Sequence, residues 1–271
     1  MNRKLAVIGV GNMAKAIISG ILSSDLSISE IILFDKYPEQ YSTVLTQNRI
    51  PLHTAKTIAE AVTEADCVLL SVKPQNFPEV LAEIAAIPGH NQKLYISIAA
   101  GITVDNVSAP LHDACVIRVL PNVPMLIGQG VSVVCKNPHA ESSDFEFVCS
   151  IFKSAGSIVL IQEEEMNRMI GVTSSSPAYV FQVIDAIYQG ALAQGLPDDH
   201  LLDTICDMVI GSAMLLKHSG GTPEEWIAKV ASKGGTTEQA LAKLNEHHLN
   251  EVFADAMIAC TKRADELGKN K

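Results

Sequence analysis

Apolar residues along the chain follow two patterns. Up to about residue 161 they come in short runs: Lys4-Leu5-Ala6-Val7-Ile8, Glu30-Ile31-Ile32-Leu33-Phe34, Ala65-Asp66-Cys67-Val68-Leu69-Leu70-Ser71-Val72, Leu94-Tyr95-Ile96-Ser97-Ile98 and Cys115-Val116-Ile117-Arg118-Val119-Leu120. Runs of this length, rich in β-branched residues and ended by Gly, Pro or small polar residues, predict buried strands. Helical spacing lies between the earlier ones, at Ala16, Ile17, Ile18, Ile21 and Leu22 and around residues 57–65 and 76–86. Strand and helix alternation predicts a parallel, doubly wound sheet. Val131-Ser132-Val133-Val134 and Ile158-Val159-Leu160-Ile161 read as closing strands around a helix at 144–153. From Glu163 onward no strand pattern remains. Residues 166–172, 178–194, 200–218, 223–231, 237–246 and 249–267 all carry helical spacing.

The pattern therefore predicts two domains, residues 1–162 and 163–271, joined at the charge run Glu163-Glu164-Glu165. A chain of 271 residues that is 48% hydrophobic has material for two cores. Its net charge of −10 and its lack of a Lys/Arg cluster argue against a nucleic-acid partner. No apolar run reaches the length of a membrane span, and the N-terminus lacks a signal-peptide cleavage pattern, so a cytoplasmic location is expected. The six cysteines (67, 115, 135, 149, 206 and 260) have no C-x-x-C spacing and read as buried reduced thiols; no metal site is expected.

The first strand opens into Gly9-Val10-Gly11-Asn12-Met13-Ala14, a G-x-G-x-x-A run between a strand and a helix. In that context Gly9 makes the tight turn, Gly11 lets a pyrophosphate approach, and Ala14 allows close helix–strand packing. Asp35, with Lys36 after it, ends the second strand about twenty residues on, where an acid can accept hydrogen bonds from the adenosine ribose. The breaks Ser71-Val72-Lys73-Pro74 and Ala99-Ala100-Gly101 fall at carboxyl ends of predicted strands, where such sheets bind ligands. An ordinary strand end or solvated turn would explain each of these taken singly.

In the helical half the outstanding stretch is Ser232-Lys233-Gly234-Gly235-Thr236-Thr237-Glu238-Gln239. Thr236 and Gln239 stand in capping-box spacing, so Thr236 is expected to cap the next helix while Gln239 reaches back. Free N–H groups at such a helix start, beside two hydroxyls, suit a small carboxylate. A well-capped corner between two helices is the plainer alternative. Ser174-Ser175-Ser176-Pro177 reads first as a helix start. Met208, Ile210, Met214 and Leu215 look available for a partner surface.

Taken together, Ile8-Gly9-Val10-Gly11-Asn12-Met13-Ala14, Val72-Lys73-Pro74-Gln75, Ala99-Ala100-Gly101-Ile102-Thr103, Arg118-Val119-Leu120-Pro121-Asn122 and the stretch from Pro223 to Leu241 resemble pyrroline-5-carboxylate reductases over nearly the whole chain. The resemblance implies a Rossmann-type domain followed by an all-helical domain that interlocks two subunits, often within a larger ring. It implies reduction of 1-pyrroline-5-carboxylate to L-proline, the last step of proline biosynthesis, with NADPH or NADH as hydride donor. Thr237 is then the catalytic candidate, as hydrogen-bond donor to the ring nitrogen. Ser232, Gly234, Gly235, Thr236 and Thr237 are the substrate-binding candidates. The cofactor-binding candidates are Gly9, Gly11, Asn12, Met13, Ala14, Asp35, Lys36, Ser71, Val72, Lys73, Pro74, Ala99 and Ala100. The chain departs from the family pattern at Trp226, Lys233, Val123 and Ile58, and has serines at 174 and 176 where glycines are usual. Both cofactors are expected to work, with Asp35 favouring NADH. A reductase of another cyclic imine or of a hydroxyacid, and a dinucleotide-sensing protein without catalysis, are the alternatives.

Overall fold

The structure, a computed structural model, describes residues 2–41 and 49–269. The outer ends of the two expected domains, Met1 and residues 270–271, lie outside the described residues. Eight strands form one sheet: β1 (Arg3–Ile8), β2 (Ile28–Phe34), β3 (Leu52–Thr54), β4 (Cys67–Leu70), β5 (Leu94–Ser97), β6 (Cys115–Leu120), β7 (Gly130–Lys136) and β8 (Gly156–Leu160). Their order is β3-β2-β1-β4-β5-β6-β7-β8. All neighbours are parallel except β6 and β7, which pair antiparallel with Arg118 opposite Cys135. The sequence pattern missed β3, a three-residue edge strand too short for any periodicity.

Crossover helices cover both faces of the sheet, so the strands are apolar on both sides. On one face α2 (Ile58–Glu64), α3 (Phe77–Ala85), α4 (Val104–Ser108) and α6 (Glu163–Met169) pack over Ile8, Val68, Leu70, Tyr95, Val116 and Leu120. On the other, α1 (Asn12–Leu22) and α5 (Ser142–Lys153) pack over Leu5, Val7, Leu69, Ile96, Ile117 and Val119. The helical part continues with a π-turn at Ile170–Ser174, then α7 (Ser176–Ala193), α8 (Leu201–Ser219), α9 (Pro223–Val230), α10 (Thr236–Glu246) and α11 (Leu249–Lys269).

Contacts group the chain into two compact units. Met1–Ser175 and Ile258–Lys271 make one, and Ser176–Met257 the other. The charge run at 163–165, where the sequence pattern changes, is thus the first turn of α6 inside the first unit. Gln162 and Glu165 form its capping box, and Met166 is buried against the sheet. Helix α11 begins in the second unit and ends in the first.

Among the described residues, one Lys, Arg, Asp or Glu side chain lies in the first unit's core. Arg118, on β6, is 1% exposed. Its Nη1 donates to Glu163 Oε1 at 2.5 Å and its Nη2 to Asn167 Oδ1 at 2.7 Å. Asn167 Nδ2 donates in turn to Asp265 Oδ1 at 2.7 Å, so one chain of bonds ties β6 to α6 and to the end of α11. Cys135 Sγ donates to the other Glu163 oxygen at 3.0 Å; burial and that neighbouring carboxylate raise the thiol pKa, holding it protonated. Substituting Arg118→Met removes the guanidinium and leaves Glu163 facing Cys135 without its counter-charge. A loss of about 3 kcal/mol in unfolding free energy is expected, at the low end for breaking a buried pair because Glu163 is partly exposed. Urea midpoints of the two proteins check it; equal midpoints would mean the network adds nothing to stability.

Candidate functional site

The first cluster of candidates sits at the carboxyl edge of the parallel strands. Gly9 follows β1 with φ +91°, and its N–H donates to Phe34 O at 2.8 Å. A Cβ at Gly9 would stand 2.9 Å from the carbonyl carbon and oxygen of Ser71, so β1 and the loop after β4 meet backbone to backbone. Gly11 is the N-cap of α1 and provides no side-chain cap. A Cβ there would project into open space. The first N–H groups of α1 therefore face an unobstructed approach, as an anionic pyrophosphate requires. Ala14 is fully buried, which is the close packing expected of the third fingerprint position.

Around this turn runs a cleft of about 760 Å³ lined by Gly9, Gly11, Asn12, Asp35, Lys36, Ser71, Val72 and Lys73, all anticipated from the sequence. Ile58, a departure from the family pattern, lines it too. Met13, Ala14, Pro74, Ala99 and Ala100 do not line it. Met13 and Ala14 instead join the core between α1 and the sheet, and Ala99 and Ala100 pack on the other face. Tyr37, Gln40, Asn76, Glu79 and Glu83 line the cleft and were not anticipated; they lie on turns and along α3, in stretches that carry no motif.

Asp35 is tied to the backbone more closely than a simple strand-end acid. Its Oδ2 accepts from Val10 N at 2.6 Å and its Oδ1 from Tyr37 N at 2.9 Å. Tyr41 Oη spans the same residue, accepting from Asp35 N at 2.6 Å and donating to Asp35 O at 3.0 Å. The carboxylate is thereby locked beside the glycine turn with lone pairs left over.

The second cluster lies in the helical unit. Gly234 has φ +73° and is followed by Gly235, the N-cap of α10. A Cβ on Gly235 would come within 2.6 Å of Ser232 Oγ and 2.9 Å of Ser232 O, and Gly235 N donates to Ser232 O at 2.9 Å. The expected capping box is corrected here. Because the glycine turn starts the helix at Thr236, the cap falls on Gly235, which has no side chain, and Thr236 lies inside the first turn. The reaching carboxylate belongs to Glu238, whose Oε2 accepts from Gly234 N at 2.7 Å. Ser232, Gly234, Gly235, Thr236 and Thr237 are nonetheless brought into one tight corner, with Thr237 half-buried. Trp226 closes the preceding turn, its Nε1 donating to Gly220 O at 2.8 Å under the Lys229 ammonium.

Cys67, Cys135 and Cys149 are buried, whereas Cys115, Cys206 and Cys260 are half-buried, a correction to the expectation of six buried thiols. Burial pushes the Cys67 and Cys115 thiols up to about 12, far from a nucleophile's range. A polar hollow lined by Arg3, Asp66, Lys93 and Asp144 lies at the amino ends of the strands, the edge such sheets do not use for ligands.

Two family models match the chain. A family model described as "Pyrroline-5-carboxylate reductase dimerisation" matches residues 163–267, and one described as "NADP oxidoreductase coenzyme F420-dependent" matches residues 4–101. A pyrroline-5-carboxylate reductase of Vibrio alginolyticus is 33% identical, covering 99% of this chain and 98% of its own. Among solved structures, the 1-pyrroline-5-carboxylate reductase of Streptococcus pyogenes superposes with TM-score 0.88 at 28% identity over 97% of this chain and 98% of that one. The pyrroline carboxylate reductase of Plasmodium falciparum, solved with NADP bound, has the same fold, with TM-score 0.87 at 24% identity over 99% of both chains.

The glycine turn offers a direct test. In Gly9→Ala the new methyl must displace the Ser71 peptide while the backbone keeps a left-handed φ, costing on the order of 1–3 kcal/mol. The variant is expected to melt lower and to bind NAD(H) and NADP(H) at least tenfold more weakly, read by nicotinamide fluorescence. Unaltered binding would remove this turn from the cofactor site.

Proposed function

The chain belongs to the pyrroline-5-carboxylate reductase family, and on that premise we infer that it reduces 1-pyrroline-5-carboxylate to L-proline with NADPH or NADH. The observation that carries the substrate side is the Ser232–Thr237 corner. Two consecutive glycines open an eleven-residue helix here, so the N–H groups of its first turn stand beside the Thr236 and Thr237 hydroxyls, where a carboxylate is stabilised by the helix end. On the cofactor side, the open space over Gly11 and the uncapped start of α1 fit a dinucleotide pyrophosphate.

When bound, the dinucleotide supplies a hydride from nicotinamide C4 to the imine carbon. This chain's residues hold the substrate and its charge. Gly235, Thr236 and Ser232 are assigned to the substrate carboxylate. Thr237 is assigned as donor to the ring nitrogen and as relay: as hydride adds to the carbon, the nitrogen gains a proton from solvent through the hydroxyl, which takes one from water as it gives one up. A threonine hydroxyl does not titrate near neutral pH, so its part is orientation, hydrogen bonding and relay. Glu238 must give up Gly234 N when a substrate carboxylate takes that position, which makes it a competitor within the corner. For the cofactor, Gly9, Gly11, Asn12, Asp35, Lys36, Ser71, Val72 and Lys73 are assigned from the cleft. Met13 and Ala14 support the turn from beneath, and Pro74, Ala99 and Ala100 shape the loops beyond it.

The protein is an oligomer in this reading. Of the hydrophobic residues in Ser176–Met257, Ala191 and Ile205 alone are buried within the chain, whereas Phe181, Met208, Ile210, Met214 and Leu215 are about half exposed. A helical unit with so little core of its own needs a partner's helices. A homodimer built through residues 163–271, assembled further into a ring, and a cytoplasmic location complete the proposal. Among the described residues no helix is long and apolar enough to cross a membrane.

An assay following NAD(P)H loss with 1-pyrroline-5-carboxylate tests the activity; no turnover by folded protein would refute it. In Thr237→Ala, kcat/KM is expected to fall by roughly one to two powers of ten, the loss of one or two charge-assisted hydrogen bonds. Wild-type kinetics in a folded variant would remove Thr237 from the reaction. Asp35 tests cofactor choice. The carboxylate, held in place by two N–H groups, repels a 2′-phosphate, so Asp35→Asn is expected to shift the ratio of kcat/KM values about fivefold toward NADPH, close to 1 kcal/mol. An unchanged ratio would mean that Asp35 braces the turn without reading the ribose.

A further inference from the structure

The loop after β5 is held by an element far away in sequence. Gly101 has φ +77°, and a Cβ there would lie 2.5 Å from Ala264 O and 3.0 Å from Leu267 Cβ, both on the last turns of α11. The contact is reciprocal, for a Cβ on Gly268 would lie 2.5 Å from Gly101 O. Loop and helix therefore meet backbone to backbone, and each glycine is there because its neighbour leaves no room for a methyl. The next residues are fixed as well. Ile102 is fully buried, and Thr103 and Asn106 form a capping box that starts α4.

The end of α11 is itself immobilised. Ala264 is 3% exposed and joins the core over the sheet. Asp265 accepts from Asn167, which is bound to the buried Arg118. Cys260 Sγ lies 3.3 Å from Ser175 Oγ. Cys260, Ala264 and Gly268 lie one helical turn apart on one face, and Asp265 stands beside that stripe.

In a sheet of this order the dinucleotide crosses the carboxyl edge at the switch point between β1 and β4. Asp35, after β2, marks the adenosine side. The loops after β4 and β5 lie on the other side, where the nicotinamide half of a bound dinucleotide would extend. Resting on the dinucleotide reading above, we propose that the last two turns of α11 are a positioning element for the cofactor: through the contact of Gly268 with Gly101 they set the loop Ala99-Ala100-Gly101 against which the nicotinamide half is held. No residue of α11 need touch the cofactor.

The test uses the full-length oligomer and two variants. In Gly268→Ala the helix gains a better helix former. The helix is thus not weakened, and only the approach to Gly101 O is opened. The second variant lacks residues 268–271 and removes the contact without introducing a clash. Kd for NADPH and NADH is read by nicotinamide fluorescence, with KM, kcat and light scattering beside it. Both variants are expected to raise Kd and KM for both cofactors about fivefold, with kcat at saturating cofactor within twofold of wild type and the oligomer unchanged. A purely structural defect would lower the folded fraction, and hence the maximal rate, and leave KM and Kd in place. Unchanged Kd in both variants overturns the proposal. So does weakening in Gly268→Ala alone, which would show only a clash. Wild-type protein that binds no NAD(P)H would overturn the dinucleotide reading itself, whereas wild-type binding with indifferent variants overturns only the role of α11.

Discussion

The first unit depends on covering a parallel sheet on both faces. Parallel neighbours require crossovers, crossovers place helices on each side, and both faces must then be apolar. The two core clusters, one under α2, α3, α4 and α6 and one under α1 and α5, are that requirement met residue by residue. A core of this kind has little room for polar groups. They are displaced to the strand ends, and at the carboxyl edge the turns after β1, β2, β4 and β5 gather backbone N–H groups, Asp35 and Lys73. Site and core thus follow from one constraint: the chemistry lies where the apolar runs stop.

Arg118 is the exception that shows how the constraint is satisfied when it is broken. A buried guanidinium is tolerable only with its partners fixed. Glu163 and Asn167 supply them, and this commits α6 to its place over the sheet. The charge run at 163–165 marks a change from strand-bearing to helical sequence, yet the structural seam between compact units comes after the π-turn, at Ser175. Asn122 closes the same region, its Nδ2 donating to Thr173 O at 3.1 Å and its Oδ1 accepting from Val131 N at 2.8 Å. Both residues belong to the Arg118-Val119-Leu120-Pro121-Asn122 segment. Their side chains join the end of the sheet to the segment that leads into the helical unit.

Much of this was legible in the sequence because it rests on local rules. Period and run length revealed seven of the eight strands and the long helices, and the Gly9–Ala14 turn announced itself by spacing. What was not legible depends on contacts distant in sequence. The antiparallel pairing of β7 to β6 has no signature in Val131–Val134. The backbone partners of Asp35 come from the glycine turn and from Tyr37, and nothing in the residue types foretells them. At Thr236 the pattern misled. Capping-box spacing fitted Thr236 and Gln239 equally well on paper, but a left-handed Gly234 started the helix one residue earlier, and the i+4 carboxylate of Glu238 reached the free N–H instead.

The glycines separate the structural from the chemical more sharply than the polar residues do. At Gly9, Gly101 and Gly235 a methyl would strike a backbone atom of Ser71, Ala264 or Ser232, so the absence of a side chain there is a matter of close packing. At Gly11 and Gly234 a methyl would meet nothing within 4 Å. Gly234 is explained by its left-handed φ. Gly11 has no such need, since an N-cap in extended conformation accepts a serine or threonine with benefit to the helix. A glycine where a capping side chain would stabilise the helix gives up a few tenths of a kcal/mol. What it gains is an open approach to the first N–H groups of α1. That balance is unfavourable for folding alone and favourable only if something anionic docks there.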